Sequence, residues 1–174
     1  MTEPHIYDTI IIGGGPAGLS AGIYAGRATM DTLIIEGDQI GGQVTTTSTV
    51  ANYPAVETID GTTLVNKMKQ QATDFGVKFT FDTVVDYNFD PKDIKTVTGK
   101  TTTYHARSII IATGAKPHEI GFKGEQDFRG RGVAYCSTCD GELFSGLEVF
   151  VIGGGYAAAE EADYLTRFAR HVTV

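Results

Sequence analysis

Thiols are scarce in this chain: its 174 residues include two cysteines, Cys136 and Cys139. A disulfide stabilises most when it closes a long loop in the unfolded chain, and this pair would close almost nothing, so mechanical stapling is a poor account of it. Long apolar runs are missing as well. Ile10 to Ile12 is cut at once by glycine, and no basic start leads into an apolar core of about 7–15 residues, so neither secretion nor a membrane span is indicated. Positive charge is in deficit, with 14 Lys and Arg against 21 Asp and Glu for a formal charge of -7. That balance argues against nucleic acid or an anionic membrane as partner. Metal ligands are few: there is no second cysteine pair, and His5, His105, His118 and His171 lack the two-histidine finger spacing, so half of a zinc site is the weaker reading and no metal is expected. What remains is an acidic chain whose 41% apolar residues suffice for a core of one or two domains.

The spacing of Cys136-Ser137-Thr138-Cys139-Asp140 suits reversible dithiol and disulfide chemistry. If the pair opens a helix, unpaired N–H groups and the dipole there stabilise a thiolate, the reactive form. A catalytic rather than structural pair fits the cytoplasm best.

Glycine is plentiful, and it is patterned. Ile10-Ile11-Ile12 runs into Gly13-Gly14-Gly15-Pro16-Ala17-Gly18 and then a helical stretch rich in small residues, which is the dinucleotide fingerprint in its strand-turn-helix context. Gly13 permits the tight turn, Gly15 lets the backbone approach a pyrophosphate at the helix N-terminus, and Gly18 lets the helix lie close to the strand. After a second apolar strand from Thr32, Glu36 stands where an acid accepts hydrogen bonds from ribose hydroxyls. A second copy follows the cysteines. Leu147 to Ile152 reads as a strand, Gly153-Gly154-Gly155-Tyr156-Ala157-Ala158 as the accepted variant ending in alanine, and Tyr156 to Arg170 as helix. Two dinucleotide units around a dithiol imply two electron carriers and a disulfide substrate.

Elsewhere, Asp60-Gly61-Thr62 starts a helix with Leu64, Val65, Met68, Ala72 and Phe75 on one core face, and Gly76 stops it. From Val77 to Ile111 short β-rich segments, punctuated by Asp90-Pro91 and Gly99, read as a strand and an antiparallel meander. Thr101 to Thr103 reads as solvent-facing turn and strand.

The chain resembles the low-molecular-weight thioredoxin reductases of the pyridine nucleotide-disulfide oxidoreductase class. The likeness is carried by the first fingerprint, Gly41-Gly42-Gln43, Asn52-Tyr53-Pro54, Ala112-Thr113-Gly114-Ala115, Tyr135 to Gly141, and the second fingerprint with Glu160-Glu161-Ala162. The resemblance implies an α/β fold: a Rossmann-like FAD-binding unit of three layers, with a parallel sheet plus an antiparallel β-meander, followed by the start of a second Rossmann-like unit. Residues 1–114 would bind FAD, 115–124 would be a linker, and 125–174 would form an incomplete NAD(P)H-binding domain carrying the dithiol. Gly13, Gly15, Pro16, Ala17, Gly18, Glu36, Gly42, Gln43, Asn52, Thr113 and Gly114 would contact FAD, and Gly153, Gly155 and Ala158 would face NADPH. Cys139 would lie beside the flavin, Cys136 would attack the partner's disulfide, and Asp140 would be the general acid and base. A carboxyl beside a thiolate should have its pKa raised. Thioredoxin would be the partner of a cytoplasmic homodimer.

Two departures stand out. Members that use NADPH commonly have an acidic or amide residue and then Ser or Thr after the three glycines, whereas this chain has Tyr156-Ala157. That pattern is more similar to a divergent branch in which reduced ferredoxin feeds the flavin. The second is length: 19 residues follow Gly155, too few to finish an α/β unit, so a truncated chain, inactive alone, is expected. Transfer to a peroxide-reducing system, and a flavin- or nucleotide-binding module that does not use the thiols, remain as other readings.

Overall fold

The computed structural model describes residues 3–38, 40–90 and 92–174; Pro91, read above as part of a turn, lies outside the described residues. The chain divides into two compact units, one running to Lys116 and the other from Pro117 to Val174.

In the first unit, strands β1 (Ile6–Ile12), β2 (Thr32–Glu36), β3 (Lys78–Phe81), β4 (Val84–Asn88), β5 (Lys95–Gly99) and β6 (Thr103–Ile111) form one sheet in the order β3-β2-β1-β6-β5-β4. β3, β2, β1 and β6 are parallel, and β5 and β4 continue antiparallel. β6 serves both sections: residues 103–106 pair with β5 and residues 105–111 with β1.

Side chains alternate across the parallel strands, and both faces are covered, which is why β1 and β2 read as near-continuous apolar runs. Ile11 and Ile34 face helices α1 (Pro16–Arg27) and α2 (Gly61–Asp74) and pack with Leu19, Leu64, Val65 and Met68. Ile10, Leu33 and Ile35 face the meander and pack with Val97 and Ala106. Helix, sheet and meander are the three layers. Each such side chain, when fully buried, contributes roughly 1.5–3 kcal/mol relative to exposure.

The helices start where local chemistry places them. Pro16 occupies the first turn of α1, where its missing N–H costs nothing. The Asp60 carboxylate accepts the Thr63 N–H at 2.9 Å and caps α2. Phe75 departs from expectation. It is the C-cap of α2, 38% exposed, with the Arg27 guanidinium 5.7 Å from its ring, because the helix ends one residue before it.

In the second unit, β7 (Glu148–Phe150) and β8 (His171–Thr173) pair in parallel and are connected through α4 (Tyr156–Leu165). α4 ends five residues short of the expected Arg170. The N–H groups of Arg167 and Phe168 bond carbonyls three residues back, which tightens the end. The Gly146 N–H then reaches the Phe168 carbonyl and the Arg170 N–H reaches that of Leu147, so His171 falls opposite Glu148. Before these elements, a single helical turn, α3 (Ser137–Asp140), runs into a 3-10 turn, Gly141–Phe144.

Candidate active site

The first glycine turn joins β1 to α1 at the carboxyl end of the parallel strands, the edge where α/β sheets bind ligands. Gly13 has φ +114°, and a Cβ there would lie 2.2 Å from the Ala112 carbonyl oxygen, which brings Thr113 beside the turn. At Gly18 a Cβ would sit 1.9 Å from the Gly13 carbonyl oxygen, so α1 rests directly on the turn. Gly15 is the N-cap of α1, and its nearest neighbours across the turn are Gly41 and Gly42. Gln43 follows, exposed, at the start of a 3-10 helix, while Asn52, Thr113 and Gly114 are exposed on loops.

Gly14 has a role that its position in the motif does not announce. A Cβ there would come within 2.5 Å of the Glu36 carboxyl, so the side chain at the end of β2 lies over the turn. Glu36 is 1% exposed. Its Oε2 receives the Lys69 ammonium, and its Oε1 is buried without a hydrogen-bond partner among the described residues. The ammonium also lies 4.7 Å from the centre of the Phe79 ring. A buried carboxylate oxygen without a donor costs free energy, and a ligand hydroxyl at this turn is the group that would satisfy it. A glycine turn that admits no side chain at Gly13, Gly14 or Gly18, a helix N-terminus and this bare oxygen fit the ribose and pyrophosphate of a dinucleotide such as FAD.

The second glycine turn, between β7 and α4, is more open. Gly153 has φ +150°, and a Cβ there would meet the Ala158 Cβ at 3.1 Å; at Gly154 and Gly155 one would meet nothing within 4 Å. Tyr156 is 91% exposed, so its ring does not fill the turn.

Cys136 and Cys139 are joined in a disulfide. Cys136 is the N-cap of α3, half-buried, with its Sγ 3.3 Å from the Thr138 hydroxyl oxygen; Cys139 is exposed. The Asp140 N–H closes the turn on the Cys136 carbonyl. The Asp140 carboxyl is held above the ordinary carboxylate range by burial. One of the N–H groups expected to be unpaired beside the thiols is engaged: the N–H of buried Ser137 donates to the carboxylate of Glu161 on α4. A cleft of about 570 Å³ brings Cys136, Asp140 and Glu161 together with Val149, Phe150 and Ala158, so the dithiol turn and the start of α4 share one wall.

One residue near the dithiol escaped the sequence reading. Glu125, 3% exposed, accepts the N–H groups of Ile120 and Gly121 and the hydroxyl of Tyr135, the residue before Cys136. Burial acts to raise its pKa, but these donors outweigh burial and hold it below the ordinary range. Nothing in an acid beside Gly124 distinguishes it from a solvated one. Among the described residues no group of three or more His, Cys, Asp or Glu could hold a metal, and no helix is long and apolar enough to cross a membrane.

Two glycine turns and a dithiol define a class. The sequence profile of the pyridine nucleotide-disulphide oxidoreductases matches residues 7–174, and the chain belongs to that family. Within it, the chain is similar to thioredoxin reductases. It is 49% identical over 171 residues to the thioredoxin reductase of Peptoclostridium acidaminophilum, an alignment covering 98% of this chain and 54% of that protein. For the thioredoxin reductase of Bacillus subtilis strain 168 the figures are 47% over 174 residues, 100% and 55%. The crystal structure of thioredoxin reductase from Streptococcus pyogenes superimposes with a TM-score of 0.89 at 43% identity, covering 96% of this chain and 54% of that one. The chain spans about half the length of the curated relatives it matches.

Proposed function

We propose that this chain carries the flavin-binding unit and the dithiol of a disulfide reductase whose substrate is a protein disulfide, that of thioredoxin. The observation that carries this reading is the Cys136–Cys139 disulfide, set on a single turn that lines a cleft with α4. Thioredoxin as substrate rests on the relatives, which are thioredoxin reductases. FAD as the resident cofactor rests on the first glycine turn and the bare oxygen of Glu36; Gly42, Gln43, Asn52, Thr113 and Gly114 are assigned to it from the resemblance.

When bound and already reduced by its electron donor, the flavin would supply the two electrons that, with two protons, open the Cys136–Cys139 bond to two thiols. Cys136, as the thiolate, then bonds to one sulfur of the substrate disulfide and releases the other. Cys139 displaces the substrate from Cys136 and re-forms the original disulfide, leaving the substrate with two thiols. Asp140, its carboxyl raised by burial, takes the proton from the attacking thiol and returns it to the departing sulfur.

The second glycine turn is the proposed site for the nicotinamide nucleotide that donates electrons, a reading favoured by its open backbone and by the exposure of Tyr156. Reduced ferredoxin is the second reading of the donor, favoured by Ala157, which offers no hydroxyl to a nucleotide phosphate. The cytoplasm and a homodimer complete the proposal, the first from the catalytic use of the cysteines and the second from the resemblance.

The test is an anaerobic visible-absorption titration of the flavin-loaded protein, with NADPH in one sample and reduced ferredoxin in the other. Bleaching by NADPH supports the nucleotide donor, and bleaching by ferredoxin alone supports the second reading. The Cys136→Ser, Cys139→Ser double variant should keep its flavin colour and lose thioredoxin reduction; retained turnover in that variant would overturn the disulfide-reductase reading.

A further inference from the structure

The dithiol turn is not held by its own backbone alone. Ser137, between the two cysteines, is buried, and its N–H donates to the Glu161 carboxylate, 24 residues further along on α4. At the other end of the turn, a Cβ at Gly141 would lie 3.3 Å from Leu165 and 3.5 Å from Phe168, so the chain leaving the turn also sits against α4 and its continuation. One element seats the turn at both ends, with a carboxylate at the first and apolar side chains at the last.

We propose that Glu161 is a positioning residue of the dithiol, fixing the turn against α4 and holding the Cys136–Cys139 couple toward the reducing end; this rests on the disulfide-reductase reading above. A dithiol becomes a strong oxidant when its reduced form is stabilised, chiefly through a stabilised thiolate. Backbone N–H groups supply part of that stabilisation in many such turns. Here the Ser137 N–H is committed to an anion, and that anion lies one hydrogen bond from the peptide that links Ser137 to Cys136. Residues 136–141 hold no Lys, Arg or His, and Asp140 adds a second carboxyl. Loss of the donor and proximity of a like charge both act against a thiolate at Cys136. The open dithiol is therefore favoured less, and it passes its electrons on more readily.

The couple is read without flavin or donor. The protein is equilibrated anaerobically, at one neutral pH, with mixtures of dithiothreitol and its cyclic disulfide, and free thiols are alkylated and counted by mass. Reduction breaks the Cys136–Cys139 bond with two electrons and two protons while dithiothreitol closes its own ring, so the exchange balances. Glu161→Gln should ease reduction by about tenfold in the exchange constant, about 30 mV for a two-electron couple. Glu161→Asp, whose shorter arm weakens the contact and keeps the charge, should fall between Glu161→Gln and the parent protein. Glu160→Gln, an exposed neighbour on the same helix, removes the same charge without touching Ser137 and should leave the constant unchanged. A Glu161→Gln value within twofold of the parent, or an equal shift from Glu160→Gln, overturns the proposal. If Glu161→Gln does not fold, as judged by circular dichroism, Glu161→Asp decides: a constant equal to the parent's overturns it. A parent pair that does not cycle reversibly sinks the disulfide-reductase reading, and this proposal with it.

Discussion

Lys69 reaches from α2 to the end of β2, where its ammonium meets Oε2 of Glu36 and leaves Oε1 buried and without a partner among the described residues. The pair connects the helical layer to the first glycine turn, because the Glu36 carboxyl lies over Gly14. Removing the cation would leave a carboxylate that is 1% exposed without its counter-charge. Lys69→Met should therefore lower unfolding stability in urea by about 3 kcal/mol and weaken FAD retention on gel filtration. A variant as stable as the parent would show that the pair is not needed to hold Glu36.

Gly18→Ala tests the contact between α1 and the turn. Its Cβ would lie 1.9 Å from a backbone oxygen, which cannot move aside as a flexible side chain would. Overpacking of this kind costs about 1–3 kcal/mol, and the displaced turn should lose flavin, read as the yellow absorbance that co-purifies with the protein. Gly37→Ala, where a Cβ would meet nothing within 4 Å, should leave that absorbance unchanged.

Acid should loosen the meander at Asp82. This carboxylate, 7% exposed, accepts the Thr101 hydroxyl, the N–H groups of Thr101 and Thr102, and the Tyr104 hydroxyl. The Thr101 side chain and its fellow donors hold the pKa down to about 2. A carboxylate with a depressed folded pKa contributes stability that is full above its unfolded value, near 4, and is lost as pH falls through 4 toward 2. Asp82→Asn should lower the urea midpoint at pH 6 and remove this part of the acid dependence. Equal slopes in the two proteins between pH 4 and pH 2 would contradict it.

At Asp140 stability and activity should separate. Burial raises its pKa in the folded protein, so the ionised carboxylate opposes folding as pH rises above its unfolded value. Asp140→Asn should leave the thermal midpoint at neutral pH unchanged or slightly higher, while the proposed thioredoxin reduction falls by about 10²–10⁴-fold. A loss of activity below tenfold would remove Asp140 from the proton transfer.

Most of the layered frame is legible in the chain because it rests on local rules. Apolar runs such as Ile10 to Ile12 mark strands buried on both faces, Asp60 caps α2 through its own Thr63 N–H, and Gly76, with φ +84°, permits the left-handed turn after that helix. The end of a helix is less legible. α4 stops at Leu165 because β8 must lie beside β7, a demand that no residue near Leu165 announces. Thr101 shows the same limit: it is exposed, as its composition suggests, yet its hydroxyl anchors an acid 19 residues earlier in the chain.

By itself, the sequence determined the two glycine turns, the acid at the end of β2 and the dithiol, because each depends on residue types at short fixed spacings that backbone geometry dictates. Only the tertiary structure decided which groups these residues meet. Glu36 shares its charge with Lys69, 33 residues away; Glu161 reaches the Ser137 N–H; and Glu125 binds the hydroxyl of Tyr135. Such pairings follow from how helices and strands pack, and a carboxylate in sequence looks the same whether it will face water or a buried donor.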